Sequence, residues 1–294
     1  MPSPKITDRD IRVVHSVYRY KYLSASQIQR LHFPSETTRN RRLRRLIEEE
    51  LVEPFEIINI PERIFRIARE GARLVASRLG VDVEDLLWTP STKTPKDYYF
   101  MRHHIRLNDV RIALELGTEE GPVDLRGFIP EYYGTKEESG TVRKYVRDAT
   151  FGIQNPEERI PHTPDAAFCL EKAGSPALFF LEADRGTETL SNPQKGVLKM
   201  IRFYIGYLAD GGFEGYSEDF KTEEPFDSFR ALIVTTSEER IQNMREAASS
   251  LPRKARRGLQ MLWCTTFETL SAETVFDRIW ISLDEEDEGM YTIA

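Results

Sequence analysis

Three helix starts crowd into the first thirty-six residues of this chain, and few small folds accommodate helices that short and that close together. Thr7 stands three residues before Asp10, and Ser24 three before Gln27. In each pair the hydroxyl satisfies a free N–H of the first turn while the N3 side chain reaches back to the cap. Pro34 stops the second helix and leaves Ser35 to cap a third. Ile11, Val14, Val17 and Tyr18 recur at helical spacing in the first helix, as do Leu43, Leu46 and Ile47 in the third, predicted over 36–50.

Two β-rich runs follow, 51–58 and 63–68, separated by Asn59-Ile60-Pro61-Glu62, and they read as a hairpin. A closing helix carries Leu74, Val75 and Leu79 and ends at Gly80. Three helices plus a hairpin predict a winged helix-turn-helix over residues 1–80. Pro, Thr and charge dominate 81–97, which reads as a linker. Residues 98–294 alternate helical and strand-like runs and predict a second, α/β domain with a central mixed sheet. Its polar intervals 134–155 and 214–227 read as long surface loops.

Charge is segregated along the chain. The net charge is −7, but residues 1–80 hold sixteen Lys/Arg against ten Asp/Glu, so they carry +6 and the remainder −13. Arg39, Arg41, Arg42, Arg44 and Arg45 fall within seven residues of the third helix, with Thr38, Arg41 and Arg45 opposite the Leu43 stripe. A helix so equipped suits the major groove of double-stranded DNA, pairing guanine edges and holding phosphates. Arg63 and Arg66 on the hairpin would add backbone or minor-groove contacts. The alternative is a solvated helix in which Arg44 and Arg45 pair with Glu48, Glu49 and Glu50.

In the second domain the carboxylates sit at strand ends. Pro164-Asp165 opens one apolar run, and Leu178–Leu181 leads into Glu182-Ala183-Asp184. Side chains alternate along a strand, so Glu182 and Asp184 share a face, and a neighbouring strand would bring Asp165 beside them. Three oxygen ligands suit Mg²⁺ or Mn²⁺, which polarise a phosphodiester and activate water, with Lys195 or Lys199 offsetting developing charge. Capping and salt bridging of Glu182 to Arg185 or Arg202 is the competing reading. His103-His104 begins a helix and either faces the same cleft or serves as a cap or buried partner.

These residues resemble the replication-relaxation proteins of plasmids and other mobile elements. The likeness rests on the winged helix, on His103–Leu114 (HHIRLNDVRIAL), on Pro164-Asp165 and on the block from Leu181 to Glu188 (LEADRGTE). It implies a restriction-endonuclease-like second domain, in which a Pro-Asp pair is followed by an acidic residue, one spacer and a lysine. The pattern maps onto Pro164-Asp165 and Glu182-Ala183, whereas Asp184 stands at the lysine position. The resemblance therefore implies either a metal-dependent nicking nuclease, with Asp165, Glu182, Asp184 and Lys195 in the site, or a non-catalytic regulator whose second domain dimerises or docks. A ligand-sensing transcription factor would call for an apolar pocket in place of grouped carboxylates.

Other classes are excluded by what the sequence lacks. There is no P-loop, no GxGxxG after a strand and no HExxH helix. Cys169 and Cys264 each lie in an apolar run without zinc-ligand spacing, and are expected as buried thiols. No run approaches the roughly 18 apolar residues of a membrane span, and the first ten residues lack the apolar stretch of a signal peptide. A cytoplasmic homodimer on duplex DNA, working with replication or relaxation proteins, is the expectation.

Overall fold

The computed structural model describes residues 6–88, 97–119, 121–136, 142–144, 146–153 and 155–294. The chain divides into two units, Met1–Ile112 and Ala113–Ala294.

In the first unit α1 (Asp8–Tyr20), β1 (Leu23–Ser24), α2 (Ala25–His32), α3 (Glu36–Glu48), β2 (Val52–Phe55), β3 (Ile64–Ile67) and α4 (Arg69–Leu79) follow in order. Both capping boxes form, Thr7 with Asp10 and Ser24 with Gln27, and Ser35 Oγ accepts from the Thr38 N–H. The three strands make a small antiparallel sheet in the order β1-β3-β2. Val13, Val14, Val17, Ile28, Leu43, Leu46 and Ile64 are buried beneath it, each contributing on the order of 2 kcal/mol by leaving water. Gly71 lets α4 approach the backbone, since a Cβ there would lie 2.0 Å from the Leu51 carbonyl oxygen. Gly80 closes α4 in the left-handed conformation. Of the segment expected as a linker, residues 83–85 form a 3-10 turn and 89–96 lie outside the described residues.

Helix α5 (Tyr98–Gly117) begins in the first unit and ends in the second. Within the first unit its residues clamp the bend between α1 and β1, where Lys21 has a φ of 65°. His104 Nε2 donates to the Tyr20 carbonyl at 2.6 Å and Asn108 Nδ2 to the Tyr22 carbonyl at 2.7 Å. The Arg111 guanidinium packs 4.4 Å from the Tyr20 ring centroid. Of the two roles open to His104, the structure gives it that of a buried structural partner. Burial holds its ring neutral, with a pKa pushed down to about 4.

The second unit is a mixed α/β fold. Its strands are β4 (Val123–Pro130), β5 (Gly134–Lys136), β6 (Val142–Lys144), β7 (Asp148–Phe151), β8 (Arg159–His162), β9 (Ala166–Lys172) and β10 (Ser175–Ala183). Helices α6 (Val197–Asp210) and α7 (Tyr216–Phe220) come next, then β11 (Phe229–Thr235), α8 (Glu238–Ser249), α9 (Arg253–Arg256), β12 (Leu262–Thr266), β13 (Trp280–Ser282) and β14 (Met290–Tyr291). A seven-stranded mixed sheet has the order β14-β13-β12-β11-β10-β9-β4. β10, β11 and β12 run parallel, and the other neighbours antiparallel. Parallel neighbours require crossovers, which α6 and α8 supply.

Phe180 sits at the centre of the core under α6, edge-on to Phe229 at 5.1 Å and Tyr216 at 5.2 Å. On the alternate side chains Phe168 stacks between Phe128 and Phe179. Cys169 and Cys264 are buried free thiols. Helix α6 starts at Val197. Asn192-Pro193 and Gly196, at φ 70° with its Cβ position 2.3 Å from the Thr189 carbonyl oxygen, hold the approach in a turn.

The two intervals read as surface loops are corrected by the structure. The first carries two hairpins, β5-β6 and β7-β8, although residues 137–141, 145 and 154 lie outside the described ones. The second carries α7. Tyr216, Phe220 and Phe226 are buried there, and the apolar area of these aromatics outweighs the polar composition around them.

Candidate functional site

On α3 the five arginines divide by what they touch. Arg39 is buried, donating to Gln29 Oε1 and Glu36 Oε1, both at 3.0 Å. Arg42 pairs with both oxygens of Asp10, a carboxylate with no exposed surface. Arg45 pairs with Glu48 and Glu49 one turn on. Arg41 and Arg44 are exposed, and neither pairs with a carboxylate among the described residues. Thr38 is half-buried, its Oγ1 accepting from Ser35 Oγ at 3.1 Å. On the hairpin Arg66 donates to Glu53 at 2.6 Å and lies over Phe55, while Arg63 is exposed.

The i, i+3 and i, i+4 geometry that makes a helix face also lets its ends pair internally. Arg39, Arg42 and Arg45 recur every third residue and turn toward α2, the start of α1 and the helix's own C-terminal glutamates. Arg41 and Arg44 are left on the outward face.

In the second unit β9 and β10 pair with Ala166 opposite Leu181, which brings Asp165 to the end of β10. Asp165 Oδ2 accepts from the Ala183 N–H at 2.7 Å. Glu182, 8% exposed, lies on the α6 face with Phe180. Its Oε1 accepts from His162 Nε2 at 2.6 Å and from the Tyr204 hydroxyl. Asp184 is turned to α8. Arg240 donates to both of its oxygens at 3.1 and 3.2 Å, and Thr235 Oγ1 donates to Oδ2 at 2.6 Å. Arg240 also donates to the Glu188 carbonyl at 2.8 Å, tying down the loop after β10.

The His162–Glu182 pair is the most perturbed part of this site. Burial raises the pKa of Glu182, and the neighbouring His162 opposes that only in part. For His162 burial acts downward, but the Glu182 carboxylate outweighs it and the net direction is up. Both shifts say that the pair holds a proton more tightly than either group does in water. The Lys199 ammonium lies close enough to push His162 down, whereas Lys195 occupies the exposed turn ahead of α6.

A hard cation asks for converging carboxylate oxygens. Asp165 and Glu182 lie at neighbouring strand ends, whereas the Asp184 oxygens already accept three donors. Among the described residues, the three do not bring one oxygen each within 4.8 Å of one another. Residue spacing alone left His162 and Tyr204 out of the site. His162 stands three residues before Asp165, but it meets Glu182 only through tertiary packing of β8, in its own two-stranded sheet, against the end of β10 twenty residues on.

A family model described as replication-relaxation matches residues 14–220, well over half of the chain. No curated protein and no solved structure matches it. Among the described residues no helix is long and apolar enough to cross a membrane.

Proposed function

From a chain that belongs to the replication-relaxation family, we propose a protein that binds double-stranded DNA in the replication or relaxation of plasmid or mobile-element DNA. In this reading the first unit is a winged helix-turn-helix with α3 in the major groove and the hairpin as its wing. The observation that carries it is the outward face of α3, where Arg41 and Arg44 stand exposed on a unit of net charge +6. Arg63 extends that cationic surface along the hairpin. The other α3 arginines support the face by fixing the helix.

The second unit serves in this reading to dimerise or dock. Asp165, Glu182 and Asp184 each accept donors from their own fold, as structural carboxylates do. A homodimer would let two α3 helices read paired half-sites, and sedimentation equilibrium with and without duplex DNA tests it. The protein would act in the cytoplasm, beside the replication or relaxation proteins on the same DNA.

The test is fluorescence anisotropy with labelled duplex over a range of salt. Arg41→Ala with Arg44→Ala is expected to weaken binding roughly 100-fold and to reduce the log Kd against log salt slope by about 2. Thermal stability should stay at the wild-type value, because neither side chain pairs with a carboxylate among the described residues. Unchanged affinity would remove α3 from the interface.

A second reading, metal-dependent nicking, is favoured by one observation, the placement of Asp165 and Glu182 at adjacent strand ends. A bound Mg²⁺ or Mn²⁺ would supply Lewis-acid chemistry there. Asp165 and Glu182 would hold it, with the Lys199 ammonium in place of the absent motif lysine. Nicking of supercoiled plasmid by wild type but not by Glu182→Ala selects this reading. No nicking across metals and substrates selects the first.

A further inference from the structure

The α3 face leaves another cationic feature of the first unit unexplained. Helices α1 and α4 pack against each other and leave a cleft of about 430 Å³ between them. Its position follows from helical periodicity. Asp8, Arg12, His15 and Arg19 recur at i, i+4, i+7 and i+11 along α1, while Leu74 and Arg78 recur at i, i+4 on α4. Ile11, Leu74 and Val75 give the cleft an apolar wall, and Arg12, Arg19 and Arg78 also line it.

Three arginines and one carboxylate, Asp8, line the cleft. Arg12 and Arg78 are exposed, and neither forms an ion pair with a described residue. The floor is built as well as charged, because His32 Nε2 and Ser16 Oγ lie 2.9 Å apart in a hydrogen bond that fixes the ring. Burial, with Arg12 and Arg9 beside it, pushes His32 down to about 4, and burial with Arg19 lowers His15. Both rings are therefore neutral near pH 7, and the positive field that disfavours their protonation attracts an anion. A volume of this size with an apolar wall and a few convergent polar groups matches small-molecule sites.

We propose that the cleft between α1 and α4 binds a small organic anion, a carboxylate or phosphate monoester carried on an apolar body. The anionic head sits among Arg12, Arg19 and Arg78, and the body lies along Ile11, Leu74 and Val75. An inorganic ion would leave the apolar wall unused, and an apolar molecule without charge would leave the arginines unused. The site is independent of the α3 reading, since α3 contributes no residue to its lining.

Titration of the full chain with hexanoate and hexyl phosphate tests this, with inorganic phosphate and hexylammonium as controls. Calorimetry gives the affinity, and the histidine ring resonances give the location. Saturable one-site binding of the two hexyl anions is expected, at least roughly tenfold tighter than inorganic phosphate. The His15 and His32 rings should shift while those of His104 and His162 stay in place. Arg12→Glu and Arg78→Glu, both at exposed positions, should each weaken hexanoate roughly tenfold or more with an unchanged circular dichroism spectrum. Leu74→Gln should narrow the preference over phosphate.

Equal binding of phosphate and hexanoate, or hexanoate binding indifferent to both arginine variants, overturns the proposal. So does a loss of duplex binding in those variants without any binding of the hexyl anions, which would make the cleft a contact for the DNA backbone.

Discussion

In the first unit a fully buried carboxylate, Asp10, is met by the guanidinium of Arg42, and its pKa is driven down. In the second, the buried Glu182 is met by His162 and the Tyr204 hydroxyl, and its pKa is driven up. For Asp10 burial acts upward, but the hydrogen bonds from Arg42 and Thr7 overcome it. A permanently charged partner fixes a carboxylate as an anion at every working pH, whereas a titratable partner makes it one half of a proton store. The first arrangement suits a scaffold that presents arginines outward, and the second leaves a site whose charge can change.

The sharpest way to break this contrast is to remove the fixed partner. Arg42→Met leaves Asp10 buried without its cation and should destabilise the first unit by about 3 kcal/mol or more, read by urea denaturation. Arg240→Met should do the same in the second unit, where Asp184 would keep only Thr235. A smaller loss in either variant would show that the carboxylate reaches water or another donor.

The next effect is of pH, and its sign differs between the units. His104 is neutral in the fold, with a pKa of about 4, below its unfolded value. As pH falls through about 6.5 the unfolded state binds the proton first, and His104 alone should cost the first unit about 3 kcal/mol by pH 4, with His32, also pushed down to about 4, adding to the loss. The contribution of Asp10, present above its unfolded pKa, is lost below that as pH falls through its lowered folded value. His162 and Glu182 act oppositely. Both folded values are raised, so their contribution is present at low pH and declines as pH rises through them. Urea titrations followed through amide resonances in each unit separate the two trends, and parallel pH profiles would sink the comparison.

The smallest expected effect is that of Tyr204→Phe, which removes one donor from Glu182 and should cost about 1 kcal/mol. It should also raise the Glu182 pKa further, because a bond to the charged form is lost.

Local signals made most of the first unit legible. Thr7, Ser24, Ser35 and Gly80 act on backbone groups within a turn of themselves, and the hairpin follows from alternation around Asn59, whose φ is 70°. The alternation of helical and strand-like runs in the second unit was legible for the same reason, but the order of the strands in the sheet was not. Partners were not, because they depend on closure of the chain. Arg42 lies 32 residues from Asp10, His162 20 from Glu182, and Arg240 56 from Asp184. Composition suggested loops at 214–227 because acids and glycines outnumber the aromatics there, yet three buried aromatics suffice to anchor α7 to the core. For the carboxylates, alternation placed Glu182 and Asp184 on one face, but could not say that each would be taken by a different helix.

The clamp that α5 places on the bend after α1 decides which piece of this molecule can be transplanted. A fragment ending at Gly80 keeps every helix and strand of the expected winged helix, yet strips the Tyr20 and Tyr22 carbonyls of His104 and Asn108. It also strips the Gln27 side chain of Asp109. Three interior polar groups would then open to solvent at the joint that sets the angle between α1 and α2. The shortest portable form of the unit runs to Ile112, and a graft cut earlier would carry the arginines of α3 on a loosened frame.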